Sequence, residues 1–391
     1  MSIRSISALV VATGSGALMR SSRPKSIHLL CGRSMASYVL DTMAETGVRQ
    51  AVLVTGGESG RVKKRLLEDS PPFPVQFMEH RPDEAGAQTL LVGLSGFDDF
   101  NDEEDVLIVP ADLPLLRAET LFELLEHHRT SGAACTVLTV MADDGDPLNT
   151  PGGTGIIDRD RHGRVCGVTP RSQADRPKSL APFRPGASEA GITIDDLEPV
   201  NPEPLEAATG IYCVRRGLLA PSLRRCVEES ITGNARISDL VGVLAETGHR
   251  CESIVVSSGS DLVPVDNRSE LAEAEAELRW RTNQRWLARG VTMVDPARTY
   301  IDATVKLGTD ITIFPGTILQ GSTVINDGCE IGPEVQLDRC TVGPNTRIDR
   351  ATAKHATIGA DCIVGPFAAL VPGTDLPART VTGPFYYSNA S

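Results

Sequence analysis

From residue 307 onward the apolar residues recur at every sixth position: Leu307, Ile313, Leu319, Ile325, Ile331 and Leu337. A second series falls four residues after each: Ile311, Thr317, Thr323, Cys329, Val335 and Thr341. A period of six is neither the 3.6 of a helix nor the two of a strand. It is the hexad of a parallel β-helix, in which each hexad forms one side of a triangular prism and its apolar residue points inward. Three hexads make a coil. The register slips by one at Val342, is lost near Lys354 and resumes at Ile358, Val364 and Leu370, so about four coils are predicted.

Residues 5–255 follow a different rule. Short apolar runs such as Ala8–Ala12, Ala51–Thr55, Val75–Met78, Asp105–Leu115, Ala134–Val140, Thr209–Val214 and Ser253–Val256 read as buried strands. Helical patterns separate many of them, at Ser34–Gly47, Arg61–Glu68, Ala118–Arg129 and Ile237–Thr247. Continuous apolar strands alternating with helices predict a mostly parallel sheet covered on both faces, with ligands outside the carboxyl ends of its strands. The first strand runs into Gly14-Ser-Gly16, and Pro24-Lys25 closes that loop with an ammonium group. Glycines there let backbone N–H groups point at an anion, although a plain strand-to-helix turn needs the same residues. Asp112 falls at the same end of the sheet. A helix over Ser269–Ala288, capped by Asn267 or Ser269, has Leu271, Ala274, Leu278 and Trp280 spaced for one buried stripe. The predicted division is residues 1–268, a linker helix over 269–290, and the β-helix over 291–391.

With 391 residues and a net charge of −13, the chain is long enough for two cores and wrongly charged for a nucleic-acid partner. No uncharged apolar run reaches the roughly 18 residues of a membrane span. The nine cysteines contain no C-x-x-C pair, which predicts reduced, mostly buried thiols and a cytoplasmic protein. His28, among Ile27, Leu29 and Leu30, reads as a hydrogen-bonded core histidine. Residues 170–205, rich in Pro, Ser, Ala and acidic groups, read as a mobile excursion: a flap over the site or a plain insert.

Gly14, Gly16, Met19, Ser21, Pro24, Lys25, His28, Leu30, Gly32 and Met35 together make a longer pattern. It resembles the opening of the bifunctional N-acetylglucosamine-1-phosphate uridyltransferase / glucosamine-1-phosphate acetyltransferase family. The resemblance continues through Ala111-Asp-Leu-Pro114, Thr209-Gly-Ile-Tyr212, Val265-Asp-Asn-Arg268, the long helix and the hexads. It implies a nucleotidyltransferase domain, a helical linker and a left-handed β-helix that packs as a homotrimer. It implies a nucleoside triphosphate in the glycine loop, attacked at its α-phosphate by a sugar 1-phosphate, with Mg²⁺ between the phosphates. On that match Lys25 is the phosphate-facing cation. Asp112 and Asp266 are the metal ligands, the latter standing where the family has asparagine. Glu79 and Gly86 fall at the base-reading positions, Gly155 and Thr209 at the sugar positions.

The same match exposes departures. The family's catalytic arginine falls at Leu18 and the threonine before it at Ala17, with Arg20 and Arg23 the nearest substitutes. Its base-reading glutamine becomes Glu79, which cannot donate as an amide does. Its sugar-binding glutamate and asparagine become Pro170 and Ala208, and the arginine after its backbone-contacting glycine becomes Ile156. Val371 replaces the arginine before Pro372-Gly373. The acetyltransferase residues lie beyond that turn in the family, so no acetyl transfer is expected. Two functions stay open at this stage: a Mg²⁺-dependent nucleotidyltransferase with an altered substrate or reduced activity, or a catalytically silent trimeric scaffold. Phe385, Tyr386 and Tyr387 are expected to fold over the open end of the prism or dock on a neighbouring subunit, or else to be a disordered tail.

Overall fold

The computed structural model describes residues 5–14, 16–80, 86–97, 102–141, 154–170, 206–230, 235–256 and 259–388. The expected excursion over 170–205 lies outside the described residues but for Pro170. The chain divides into two compact units, residues 1–27 with 36–264, and residues 28–35 with 265–391.

The first unit is built on β1 (Ile6–Ala12). Every residue of β1 except Val11 is buried. Its side chains alternate between two cores. Ala8, Val10 and Ala12 meet the helices Ser59–Glu68 and Ala118–Ser131 on one face. Leu9 meets the helices Ala87–Leu94, Arg216–Glu229 and Asp239–Glu246 on the other. After the hairpin β2 (Leu29–Leu30) and β3 (Arg33–Ser34), the strands of this unit are β4 (Ala51–Thr55), β5 (Val75–Glu79), β6 (Asp105–Pro110), β7 (Cys135–Met141), β8 (Gly155–Arg159), β9 (Val165–Pro170), β10 (Glu206–Arg215) and β11 (Cys251–Val255). The sheet runs β11-β7-β10-β6-β1-β4-β5, with the hairpin β8–β9 attached to β10. β1 is parallel to both β4 and β6. β10 is antiparallel to β6 and β7. The sheet is therefore mostly parallel, as its apolar runs predict, with one reversed strand in the middle.

The second unit begins, in chain order, with the hairpin β2–β3. The Cys31 N–H donates to Glu275 at 2.7 Å, and the Ala303 N–H donates to the Cys31 carbonyl at 2.9 Å. His28 is buried, with Nδ1 3.5 Å from the Arg268 guanidinium. The helix Arg268–Leu287 starts at Asn267, whose side chain accepts from the N–H groups of Ser269 (2.9 Å) and Glu270 (3.1 Å), while the Glu270 carboxylate accepts from the Asn267 N–H. The predicted stripe is displaced: Ala274 and Leu278 are buried, but Trp280 is 57% exposed and Trp286 takes the core position. Because both tryptophans lie on this helix, their fluorescence reports its unit. Asn267→Ala should lower that unit's unfolding free energy by about 1 kcal/mol in a fluorescence-monitored denaturation. An unchanged curve would mean that the capping box contributes nothing.

The prism has three parallel sheets of five strands, hence five coils where about four were expected. The first coil opens at the strand Thr292–Met293, ahead of the first regular hexad, and the fifth closes at the strand Asp375–Leu376. Register partners lie 18 residues apart at Thr312↔Glu330, 17 at Glu330↔Arg347 and 16 at Arg347↔Ile363. Residues lost at the corners explain why the hexad register slips. They also leave Thr341 exposed while Cys340 is buried in its place. Buried Thr317 and Thr323 are tolerated because each hydroxyl donates to a carbonyl three residues back, at 2.7 Å in both cases. Val381 and Tyr387 bridge to Ile363 and Ala369, continuing the wall, and Phe385 stacks on Phe367 at 5.1 Å.

Candidate functional site

Within the first unit, β1 ends at Ala12 and the chain turns through Thr13 and Gly14 at the carboxyl end of the parallel strands. Gly16 has φ +75°, and a Cβ there would sit 2.5 Å from the Arg23 carbonyl oxygen. The loop therefore needs glycine for its own backbone packing, whatever else it binds. The Lys25 N–H donates to the Gly14 carbonyl at 3.1 Å, which folds the lysine back under the loop. Leu18, at the family's arginine position, is 73% exposed, and Arg20 and Arg23 are exposed too.

β6 ends at Pro110, and Asp112 sits in the turn beyond it; the Ala111 N–H donates to the Val11 carbonyl at 2.9 Å. The Lys25 ammonium forms a short ion pair with Asp112 Oδ2. The two residues singled out as phosphate cation and metal ligand, 87 positions apart, are thus brought together. The other carboxylate oxygen of Asp112, Oδ1, is buried and accepts no hydrogen bond. A buried, unsatisfied carboxylate oxygen beside a phosphate-type loop has the hard-donor chemistry that suits Mg²⁺. Among the described residues, no three or more His, Cys, Asp or Glu side chains are grouped to hold a metal. Mg²⁺ usually completes its shell with waters and substrate phosphates beside one or two carboxylates. Asp266 belongs to the second unit, where its N–H donates to Glu270 Oε2 at 2.6 Å beside the capping box.

A cavity of about 570 Å³ opens from Gly14 and Asp112 across Pro110, Gly210 and Tyr212 to Arg236. Gly86 also lines it and starts the helix Ala87–Leu94. A Cβ on Gly86 would lie 2.2 Å from the Ala235 carbonyl oxygen, so glycine is required for the 235–236 segment to approach. Gly155 is buried in β8, paired with Ala208 and Pro170. Thr209 is 3% exposed, and its hydroxyl donates to the Leu138 carbonyl at 2.9 Å, which ties β10 to β7 where their register shifts. Glu79 ends the edge strand β5, is exposed and is not among the cavity's lining residues. The cavity thus gathers Gly14, Gly86 and Asp112. Gly210 and Tyr212 of the Thr209–Tyr212 segment also line it, and so do Pro110, Thr154, Arg236 and Ser238, which the sequence does not single out. The steric demand at Gly86 is the one signal that points to Arg236.

Comparison with known proteins adds the following. Residues 8–229 match the MobA-like NTP transferase domain. The bifunctional protein GlmU of Streptomyces avermitilis is 33% identical over 384 residues, covering 98% of this chain and 73% of that protein. Its namesake in Geobacillus sp. (strain WCH70) is 30% identical over 379 residues, covering 97% and 74%. That of Heliobacterium modesticaldum is 31% identical over 378 residues, covering 97% and 75%.

Proposed function

The chain belongs to the GlmU family and carries its MobA-like NTP transferase domain, and from that premise we propose that it joins a nucleoside triphosphate to a sugar 1-phosphate with altered substrate choice. The observation that carries the reading is the Lys25–Asp112 pair at the glycine loop, with Asp112 Oδ1 left unsatisfied. In the proposed reaction a phosphate oxygen of the sugar 1-phosphate bonds to the α-phosphorus, and the bond to the departing pyrophosphate breaks. Little covalent chemistry is asked of the protein, which positions and neutralises charge. Lys25 turns from Asp112 toward the triphosphate, and Asp112 is freed to act as a metal ligand. Asp266 is kept as a second candidate on its family match alone. Mg²⁺, when bound, supplies charge neutralisation between the phosphates. The assembly is proposed as a homotrimer in the cytoplasm, where its free cysteines stay reduced. The absence of acetyl transfer is proposed from Val371, which stands where the family has arginine. No helix among the described residues is long and apolar enough to cross a membrane.

Calorimetry with UTP should show binding that needs Mg²⁺ in the wild type and loses that dependence in Asp112→Asn. Equal Mg²⁺ dependence in both would remove Asp112 from the site. A wild type that binds no nucleoside triphosphate from a full panel would leave the silent scaffold as the surviving reading. Ile363, Val381, Phe385 and Tyr387 leave an exposed apolar surface on the last coils, which supports association. Light scattering should give about three times 41.7 kDa. A monodisperse monomer at micromolar concentration would overturn the assembly.

A further inference from the structure

We infer that Arg236 receives the phosphate of the acceptor sugar 1-phosphate. This rests on the nucleotidyltransferase reading above and names a binding residue within it.

The first argument is position. Arg236 lines the same cavity of about 570 Å³ as Gly14 and Asp112. That cavity extends over Pro110, Gly210 and Tyr212, on the β6–β10 side of β1. Glu79, the candidate base reader, ends β5 on the opposite side of β1. With the phosphates at the Gly14 loop and the base placed by Glu79 toward β5, the β10 side is left to the acceptor, with Gly86 at the boundary beside Arg236.

The second argument is anchoring. The Ala87 N–H donates to the Ala235 carbonyl at 2.9 Å, and the Arg236 N–H donates to Asp239 Oδ2 at 2.7 Å. A Cβ on Gly86 would come within 2.2 Å of the Ala235 oxygen and 2.8 Å of Arg236 Cα. The backbone that carries Arg236 is thus held on both sides, and a glycine makes room for it.

The third argument is charge. A phosphomonoester dianion brought beside a triphosphate and Asp112 meets only repulsion unless a cation faces it. Lys25 is engaged at the loop. Arg20 and Arg23, the substitutes nearest in sequence to Leu18, are exposed like Arg236 but, unlike it, are not among the cavity's lining residues. A guanidinium forks across two phosphate oxygens, which an ammonium cannot do.

The experiment measures binding by the full chain, and by Arg236→Ala, Arg236→Lys and Arg20→Ala, with circular dichroism and melting curves confirming that each folds. Calorimetry uses two separate probes: UTP with Mg²⁺, then glucose 1-phosphate and N-acetylglucosamine 1-phosphate added to the UTP complex. Arg236→Ala should weaken sugar-phosphate binding about tenfold or more, Arg236→Lys should retain part of it, and UTP affinity should stay within about twofold of wild type in both. Arg20→Ala should resemble wild type. Wild-type sugar-phosphate affinity in Arg236→Ala, or equal losses for UTP and sugar phosphate, would overturn the assignment while leaving the nucleotide reading intact. Uptake of UTP but of neither sugar phosphate would also overturn it. A wild type that binds neither UTP nor any other nucleoside triphosphate from a full panel would overturn both.

Discussion

Purified protein supplied with UTP, N-acetylglucosamine 1-phosphate and Mg²⁺ should release pyrophosphate far below about 1 s⁻¹, the lower edge of ordinary enzyme turnover. The first reason lies at Leu18. The family places an arginine there, and here an apolar side chain, 73% exposed, offers no fork for phosphate oxygens. Removing one preorganised donor to a developing charge costs about 10²–10³ in rate. The second reason is the sugar side. Ala208 is fully buried in β10, paired with Thr139 and Gly155, and presents a methyl group where the family has an amide. Ile156 lies in β8 opposite Ala207 and Thr169, where it brings no charge. Loss of polar readers removes discrimination for a sugar by leaving its hydroxyls unmatched. A coupled pyrophosphate assay reads the result directly. Turnover above about 1 s⁻¹ with this substrate pair would show that other residues replace all three losses. Low turnover here, combined with tight Mg²⁺-dependent triphosphate binding, would direct the search to a different acceptor.

The parts of this molecule that were legible in its sequence are those whose side chains report their own direction. Each coil of the prism points one apolar residue inward per side, so Ile313, Leu319, Ile325 and Ile331 betray the fold without any neighbour being known. Corners carry no such mark. Coils shortened from 18 to 16 residues break the hexad register without disturbing the wall, and the expected coil number is low because the first coil, at Thr292–Met293, precedes the first regular hexad. On the long helix the apolar stripe was read through Trp280, while the structure buries Asn283 and Trp286 further along. Asn283 is a core residue because its amide donates to the carbonyls of Pro296 (2.9 Å) and Thr299 (3.1 Å), a partnership invisible to hydrophobic periodicity. The hairpin β8–β9 was missed because its half-buried strands lack a continuous apolar run. Gly14, Lys25 and Asp112 are named as candidates from type and context, and the structure brings Lys25 and Asp112 together. Their ion pair was not legible, since nothing local links positions 87 apart. Thr209 matched a sugar position, yet its hydroxyl is bonded within the sheet.

Asp105→Ala should destabilise the first unit by about 3 kcal/mol or more at pH 7, the largest stability loss expected from a single change away from the cavity. Asp105 opens β6 and is fully buried. Burial alone would raise its pKa. The neighbouring His128 and the hydrogen-bonded Arg129 guanidinium outweigh burial and hold the carboxyl below the ordinary carboxylate range. The Arg129 Nε lies 3.2 Å from Oδ2, and His128 Nε2 lies 3.6 Å from Oδ1, with the far imidazole nitrogen 2.9 Å from the Thr136 hydroxyl. Removing the carboxylate strands a fully buried imidazole and the inner face of a guanidinium. Arg129 is 32% exposed on its side chain and recovers some water, which keeps the loss toward the lower end of the range for a broken buried pair. The pH dependence follows from the direction of the shift. A carboxyl whose folded pKa is depressed adds stability above its unfolded value of about 3.9, and that stability drains away as pH falls through the lower folded value. The gap between wild type and Asp105→Ala should therefore be full at pH 7 and narrow progressively below about pH 4. Urea denaturation must be followed by far-UV circular dichroism, since Trp280 and Trp286 both lie in the second unit and would report the wrong transition. A gap that is constant from pH 7 to pH 3 would mean that the loss comes from packing rather than from the ionised carboxylate. A gap near zero throughout would mean that the His128–Asp105–Arg129 cluster adds no net stability.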